Sequence, residues 1–149
     1  MQHQYQNIPT IYRIIGEEIP TMAQYAQSVP AGFPSPAADY MEEEINFNTY
    51  LMPRPNATFV MRVQGDSMIE ANIPHNSLLV VDRSIKPASN MIIVAIVDGE
   101  ITVKRFIKNS SGVRLMPANQ KYKPIPITEE MDFRVWGTVT KIIIDALTV

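Results

Sequence analysis

Residues 91–106 read MIIVAIVDGEITVKRF, in which two apolar runs are joined by Asp98-Gly99. An Asp-Gly pair between apolar runs is a strong local signal for a β-hairpin, because the tight turn needs positive φ at both central residues. If the loop consists of these two residues alone, Val97 pairs with Glu100. That one pair fixes the register of the whole predicted hairpin.

The predicted register places Lys104 on a largely apolar face. Lys104 lies opposite Ile93, and Thr102 lies opposite Ala95; since side chains alternate between faces along a strand, these four share one face. Burial among apolar groups disfavours the ammonium form and lowers the pKa of a lysine, as a lysine that acts as a base requires. The alternative is a strand lysine that extends its amine to solvent along its methylene stem. The same face also carries Met91 and Phe106.

Turn signals divide the chain after residue 57 into short runs of β-branched and aromatic residues. Short strands separated by frequent turns predict a mainly β, compact body. Asn46 is predicted to cap a short helix that continues to Leu51 and ends before Pro53. The predicted strands are residues 58–63, 77–82, 91–97, 100–107, 113–117 and 133–144.

A candidate nucleophile lies in the motif Gly65-Asp66-Ser67-Met68, directly after the predicted strand 58–63. Gly65 ends the strand, and successive backbone N–H groups in the following turn can point at one spot and stabilise an oxyanion. Serine is a weak nucleophile until a base removes its proton, and a neutral lysine can be that base. Gly-Asp-Ser is also a common composition for a polar surface turn. The motif therefore indicates a catalytic serine only in combination with Lys104.

Residues 28–38 read SVPAGFPSPAA and form a candidate substrate segment. Each proline lacks a backbone donor and pushes the residue before it into an extended conformation. Within this segment Ala31-Gly32 offers a peptide bond between two small residues. An extended segment of this kind fits a protease cleft that takes its substrate as an added strand. A plain linker is the alternative.

The motifs AGFPSPA, GDSM and DGEITVKR follow one another in the order and spacing of the UmuD/MucA branch of the LexA-like self-cleaving Ser-Lys proteins. The chain resembles that branch over about residues 28–144. By this resemblance, Ser67 is the nucleophile, Lys104 the general base and Ala31-Gly32 the scissile bond. The resemblance also implies that the oxyanion donors are backbone N–H groups of Asp66 and Ser67. No role is assigned to the Asp66 side chain.

The resemblance implies a LexA- and signal-peptidase-like β body with a short flexible N-terminal arm. Residues 1–31 would be the arm that self-cleavage removes, and residues 32–149 the peptidase-like and dimerisation domain. The arm is too short for the packed helices of a helix-turn-helix head and lacks a basic stretch, so no sequence-specific DNA binding is expected. Strand 133–144 is the candidate dimer contact, because a long apolar strand left exposed invites aggregation.

The implied function is that of an accessory protein for translesion synthesis in the SOS response. A RecA filament on single-stranded DNA would stimulate the cut, and the trimmed homodimer would assemble with a Y-family DNA polymerase subunit similar to UmuC. The alternative is a binding module, either an inactive relative or a transcriptional regulator that uses the same body only to dimerise. Neither function calls for a cofactor.

Composition and charge argue against several other classes of protein. Lys and Arg number 13 against 15 Asp and Glu, which argues against a broad phosphate-binding face. The chain has no cysteine, and its two histidines, His3 and His75, lack metal-ligand spacing, so no metal site is expected. No run approaches the roughly 20 apolar residues that span a bilayer. The polar N-terminus lacks the apolar core of a signal peptide, so we expect a cytoplasmic protein without a membrane anchor.

Overall fold

The computed structural model describes residues 11–13, 22–25, 31–32 and 42–148. Packing divides the chain into two units. The larger unit comprises Met1–Ile14 and Arg54–Val149, and the smaller comprises Ile15–Pro53. Ser67 and Lys104 both belong to the larger unit.

Ten strands lie in the described residues, and every pair of neighbouring strands is antiparallel. The predicted mainly β fold is therefore confirmed. In chain order the strands are β1 (Ile11–Arg13), β2 (Met22–Tyr25), β3 (Glu42–Ile45), β4 (Thr58–Arg62), β5 (Leu78–Asp82), β6 (Ile92–Val97), β7 (Glu100–Asn109), β8 (Gly112–Met116), β9 (Ile125–Pro126) and β10 (Phe133–Ile143).

Eight of these strands form one sheet in the larger unit, in the order β1-β4-β5-β10-β6-β7-β8-β9. In the smaller unit β2 pairs with β3 as a separate two-stranded sheet. The chain order and the sheet order differ most at β10, which inserts between β5 and β6. This last long strand thus joins the first half of the sheet to the second.

The β6–β7 hairpin has the predicted register. Asp98 and Gly99 both have positive φ, at 50° and 83°, as a two-residue turn of this kind requires. Lys104 lies opposite Ile93, and the other predicted pairs, Thr102 with Ala95 and Val97 with Glu100, are also formed. The face assigned to Lys104 from the sequence is therefore confirmed.

The helices are short. Helix α1 (Phe47–Leu51) begins where predicted, and the side chain of Asn46 accepts a hydrogen bond from the Thr49 N–H at 3.2 Å. Single 3-10 turns occupy Pro55–Ala57, Ile69–Ala71 and Ala146–Thr148. Across the four described segments, none of the helices combines the length and the apolar character needed to cross a bilayer.

Three features differ from the sequence-based expectations, and one of them is β9, a two-residue strand that was not predicted. No strand was predicted before residue 58, whereas β1, β2 and β3 precede it; β1 is only three residues long and is held by pairing with β4 rather than marked by an alternating pattern. The third feature is β10, which was chosen as the candidate dimer contact because a long apolar strand would be a hazard if left unpaired. It is interior to the sheet, because β5 and β6 flank it on its two sides.

Buried side chains form two clusters. In the first cluster, residues of β4 and the following turn pack with residues of β5 and β6, and Ile101 and Val103 of β7 lie against them. The second cluster lies between β6, β7 and β8. The buried residues of the first are Met61, Val63, Met68, Ile73, Leu79, Val81 and Val94, and those of the second are Ile93, Ala95, Phe106 and Leu115.

Candidate active site

The structure brings the predicted nucleophile and base together. Ser67 lies in the turn after β4, and Lys104 lies in β7. The Nζ atom of Lys104 is 3.2 Å from the Oγ atom of Ser67, within hydrogen-bonding distance. A proton can therefore pass directly from the hydroxyl to a neutral amine.

The surroundings of Lys104 favour its neutral form. The side chain is 8% exposed, and this burial holds the pKa of Lys104 below the 10.5 of an exposed lysine. The alternative in which the amine extends into solvent is thus wrong. As the pH rises through this lowered pKa, a growing fraction of the molecules has a neutral Lys104 that can accept a proton.

Two further contacts orient the Lys104 amine. Its Nζ lies 2.8 Å from the Thr102 Oγ1 and 3.1 Å from the Val103 carbonyl oxygen, both of which can accept a hydrogen bond. A neutral amine has two N–H donors and one lone pair. If the two acceptors take the two donors, the lone pair is left for the Ser67 hydroxyl. Thr102 was placed on the lysine's face by the sequence, but its role in orienting the amine was not predicted.

One side of the serine turn is held through Gly65. Gly65 has φ +88°, a backbone conformation that L side chains rarely adopt. Its N–H donates to Nδ1 of His75 at 2.9 Å. His75, for which no metal-binding role was expected, thus holds the backbone two residues before Ser67.

The other side of the turn is held by residues 118–122. The Asp66 carbonyl accepts from the Asn119 side-chain amide at 2.9 Å, and the Ser67 carbonyl accepts from the Ala118 N–H at 2.8 Å. The hydroxyl of Tyr122 donates to Oδ1 of Asp66 at 2.6 Å. That hydrogen bond lowers the pKa of Asp66 and raises the pKa of Tyr122. In sequence this stretch shows only the turn composition Pro117-Ala118-Asn119.

The predicted oxyanion donors lie in this braced turn. Among the described residues, none accepts a hydrogen bond from the Ser67 N–H. The Asp66 N–H lies close enough to its own carboxylate to make a lesser contribution to the lowered pKa of that group. The oxyanion role of these two N–H groups stays a prediction.

A cavity of about 260 Å³ opens beside Ser67. β8 pairs with β7 only at Arg105–Asn109, so the part of β7 that borders the cavity has no strand on that side among the described residues. Within those same residues, no group of three or more His, Asp or Glu side chains is placed to hold a metal ion. The lining residues are Met61, Arg62, Val63, Gln64, Gly65, Ser67, Met68, Ile101, Thr102 and Val103.

Ala31 and Gly32, the predicted scissile pair, belong to the smaller unit and are exposed. A Cβ atom added at Gly32 would meet no atom within 4 Å. The rest of the predicted substrate segment, residues 28–30 and 33–38, lies outside the described residues. The cleavage of this bond stays a prediction.

The chain is similar to a family of known proteins over most of its length. Residues 23–140 match the Peptidase S24-like family. Protein SamA of Salmonella typhimurium is 44% identical over 123 residues, which cover 83% of this chain and 85% of SamA. Protein ImpA of Escherichia coli is 40% identical over 80% of this chain and 81% of its own.

Two further relatives extend the comparison. Protein MucA of Escherichia coli is 38% identical over 81% of this chain and 83% of MucA. The LexA repressor of Carboxydothermus hydrogenoformans is 39% identical over 105 residues, but these cover only 51% of that repressor. The similarity to SamA, ImpA and MucA, by contrast, extends over most of each protein. The chain belongs to the Peptidase S24-like family, in its UmuD/MucA branch.

Proposed function

We propose that the chain is an SOS-response accessory protein for translesion synthesis that cleaves its own Ala31-Gly32 bond with a Ser-Lys dyad. The observation that carries this proposal is the 3.2 Å contact between the Ser67 hydroxyl and the buried amine of Lys104. A lysine kept from solvent and placed on a serine hydroxyl has the arrangement that nucleophilic catalysis requires. Membership of the UmuD/MucA branch supports the accessory role.

The proposed reaction has two stages. Lys104 takes the Ser67 proton, Oγ attacks the carbonyl carbon of Ala31, and the N–H groups of Asp66 and Ser67 stabilise the resulting oxyanion. The C–N bond to Gly32 then breaks, and the lysine gives its proton to the leaving amine. In the second stage Lys104 activates a water molecule, which hydrolyses the ester between Ala31 and Ser67 and restores both side chains.

The cavity beside Ser67 suggests how the substrate segment binds. Along Ile101, Thr102 and Val103, β7 has no strand partner on the cavity side among the described residues. An extended segment can bind such an edge through backbone hydrogen bonds, with side-chain pockets giving specificity. In this proposal residues on either side of Ala31-Gly32 bind along this edge, which presents the Ala31 carbonyl to Ser67.

Cleavage would also change the edge of the sheet. β1 precedes the scissile bond, and it pairs with β4 through three residues, Ile11, Tyr12 and Arg13. Once the bond is cut, β1 has no covalent link to the rest of the sheet, and among the described residues it is held by this three-residue pairing. Loss of β1 would uncover the edge of β4, an extended surface on which another chain can pair. We place the contact with the Y-family polymerase subunit on this uncovered edge.

The proposed assembly has two further partners. A RecA filament on single-stranded DNA would stimulate the cut in the cytoplasm, as the similarity to the branch suggests. A second copy of the chain would contact the end of β10, where pairing with β6 stops at Thr138 while pairing with β5 continues to Ile143. Beyond that point Ile144 and Leu147 are 43% and 96% exposed. Covering such apolar residues favours dimerisation.

A transcriptional regulator that dimerises without self-cleavage is the second candidate function. Similarity to a LexA repressor favours it, although the match covers only about half of that protein. The two functions differ in whether the dyad is used. A direct cleavage assay therefore separates them.

The first prediction concerns the pH dependence of cleavage. Purified full-length protein without any partner should cut itself faster as the pH rises from 6 to 10, because only neutral Lys104 can take the Ser67 proton. Burial lowers the pKa of Lys104, so half of the maximal rate should be reached below pH 10.5. Mass spectrometry should identify a fragment that begins at Gly32. Ser67→Ala is the control, and a flat wild-type rate would contradict the mechanism.

The second prediction concerns the scissile bond. Gly32→Glu should slow cleavage at least about 100-fold, because a long charged side chain next to the attacked carbonyl displaces it from Ser67. Ala31→Trp should act in the same way, because a bulky side chain beside the attacked carbonyl displaces that carbonyl from Ser67. Gly32→Ala is the matched control, because its Cβ meets nothing within 4 Å in the uncut chain and a single methyl group should slow cleavage far less than the glutamate does. Normal cutting of Gly32→Glu would place the scissile bond elsewhere.

A further inference from the structure

Residues 118–122, here called the brace loop, make hydrogen bonds to both residues at the tip of the serine turn. Asn119 and Tyr122 bind the carbonyl and the carboxylate of Asp66, and the Ala118 N–H binds the Ser67 carbonyl. The carbonyl of Ala118 also accepts from the Glu70 N–H at 2.8 Å, on the far side of the turn. The brace loop therefore spans the turn that carries the nucleophile.

The position of Tyr122 is not explained by burial. The side chain is 44% exposed, so its ring contributes little to the core. Its hydroxyl nonetheless makes a 2.6 Å hydrogen bond to Asp66, the residue that immediately precedes the nucleophile. Charge-assisted O–H···O⁻ bonds of this length are among the strong ones. What the tyrosine does in this structure is to hold Asp66.

The turn needs such a hold because of Gly65. Glycine populates many backbone conformations, so a turn that starts at Gly65 can pivot about it. His75 fixes the Gly65 N–H, but it makes no hydrogen bond to the residues after the pivot. The bonds to Asp66 and Ser67 from the brace loop act on the other side of the pivot. Together the two sets of contacts hold the turn on both sides of the pivot.

We propose that Tyr122 and Asn119 are positioning residues for self-cleavage, which hold Asp66 so that the Ser67 hydroxyl stays within reach of Lys104. This inference rests on the proposed function, because it concerns the rate of that reaction. Neither residue touches the reacting atoms; both act through Asp66. Misplacing a nucleophile by about 1 Å can cost on the order of 100-fold in rate.

The rate test uses single and double substitutions. Tyr122→Phe removes only the hydroxyl and should lower the maximal cleavage rate about tenfold. Asp66→Ala should cost a similar factor, and the double variant should be no slower than either single variant, because all three lose the same bond. Asp66→Asn should be faster than Asp66→Ala, since its amide oxygen can still accept a hydrogen bond from Tyr122. Lys123→Ala, an exposed change in the same region, is the control.

The dependence of the cleavage rate on pH distinguishes a positioning role of Tyr122 from a purely structural one. The hydrogen bond to Asp66 raises the pKa of Tyr122, so the tyrosine ionises above pH 10. Its phenolate would then repel the Asp66 carboxylate, with Lys121 the nearby cation that acts on Asp66. Wild-type cleavage should therefore decline at the most alkaline pH, and Tyr122→Phe should lack that decline. A decline that persists in Tyr122→Phe would contradict the proposal.

Hydrogen exchange tests the brace without any cleavage. The amides of Ala118 and Glu70, which bond the Ser67 and Ala118 carbonyls, should exchange faster in Tyr122→Phe than in wild type. If wild-type protein never cuts itself, the proposed function fails, whatever the exchange shows. If wild type cuts and Tyr122→Phe matches its rate and its pH profile, the positioning role is overturned while the proposed function stands.

Discussion

Lys104→Arg should abolish self-cleavage at every usable pH while leaving the fold intact. A guanidinium remains protonated throughout this range, so it cannot take the Ser67 proton. General bases contribute about 10²–10⁴-fold to rate, and we expect a loss at the upper end because Lys104 is the side chain that contacts the Ser67 Oγ. Lys104→Met, which removes the buried amine and keeps much of the side-chain length, should lose as much activity.

The measurement is the fraction of full-length chain that remains over time between pH 6 and 10. Ser67→Ala should give the same absence of product, because it removes the nucleophile itself. Lys108→Arg provides the matched control, since Lys108 lies on the same strand and is exposed. Robust cleavage by Lys104→Arg would eliminate Lys104 as the base. Circular dichroism spectra of Lys104→Arg and Lys104→Met would show whether the arginine variant is unfolded.

Much of the fold follows from local sequence signals. The Asp98-Gly99 turn, flanked by apolar runs, is enough to fix the β6–β7 register, because a two-residue loop leaves no freedom in the pairing. That register in turn puts Lys104 and Thr102 on one face. β1 and β9 escape prediction for a physical reason: with three and two residues, they are too short to show an alternating pattern. Pairing with β4 and β8 creates them.

The contact between Ser67 and Lys104 depends on a feature that no local signal encodes. In the sheet, β5, β10 and β6 separate β4 from β7. The two side chains can meet only if the sheet curls until its β4 and β7 regions face each other. Packing of Ile101 and Val103 against the first core cluster shows that it does. The sequence predicts Ser67 and Lys104 as the dyad, but the distance between their side chains is set by this long-range closure of the sheet.

The role of the brace loop could not be predicted from the sequence, because its residues act on Ser67 through Asp66. Asn119 and Tyr122 follow β8 in a stretch whose only sequence signal is a turn, and neither lies near Ser67 along the chain. Hydrogen bonds across more than 50 positions of sequence bring them to Asp66. Such contacts follow from topology, since β8 returns the chain alongside β7. The same closure that forms the dyad thus places the brace.

The last prediction concerns the purpose of the cut. Two chains that both carry Ser67→Ala should be compared, one full-length and one starting at Gly32. Both should be dimers by sedimentation, because the exposed end of β10 lies after the scissile bond in each. Only the short chain should support damage-induced mutagenesis in cells that lack the native factor. The inactive serine keeps the full-length chain from converting itself during the experiment.

The structural reason for this difference is β1. In the full-length chain β1 covers the edge of β4, whereas a chain that starts at Gly32 cannot form it. The core should survive the loss, since every buried residue of both clusters follows Gly32. Equal mutagenesis by the two chains would mean that cleavage is not the switch. Failure of both would remove the accessory role, whereas a short chain that unfolds would show that β1 supports the sheet rather than masks it.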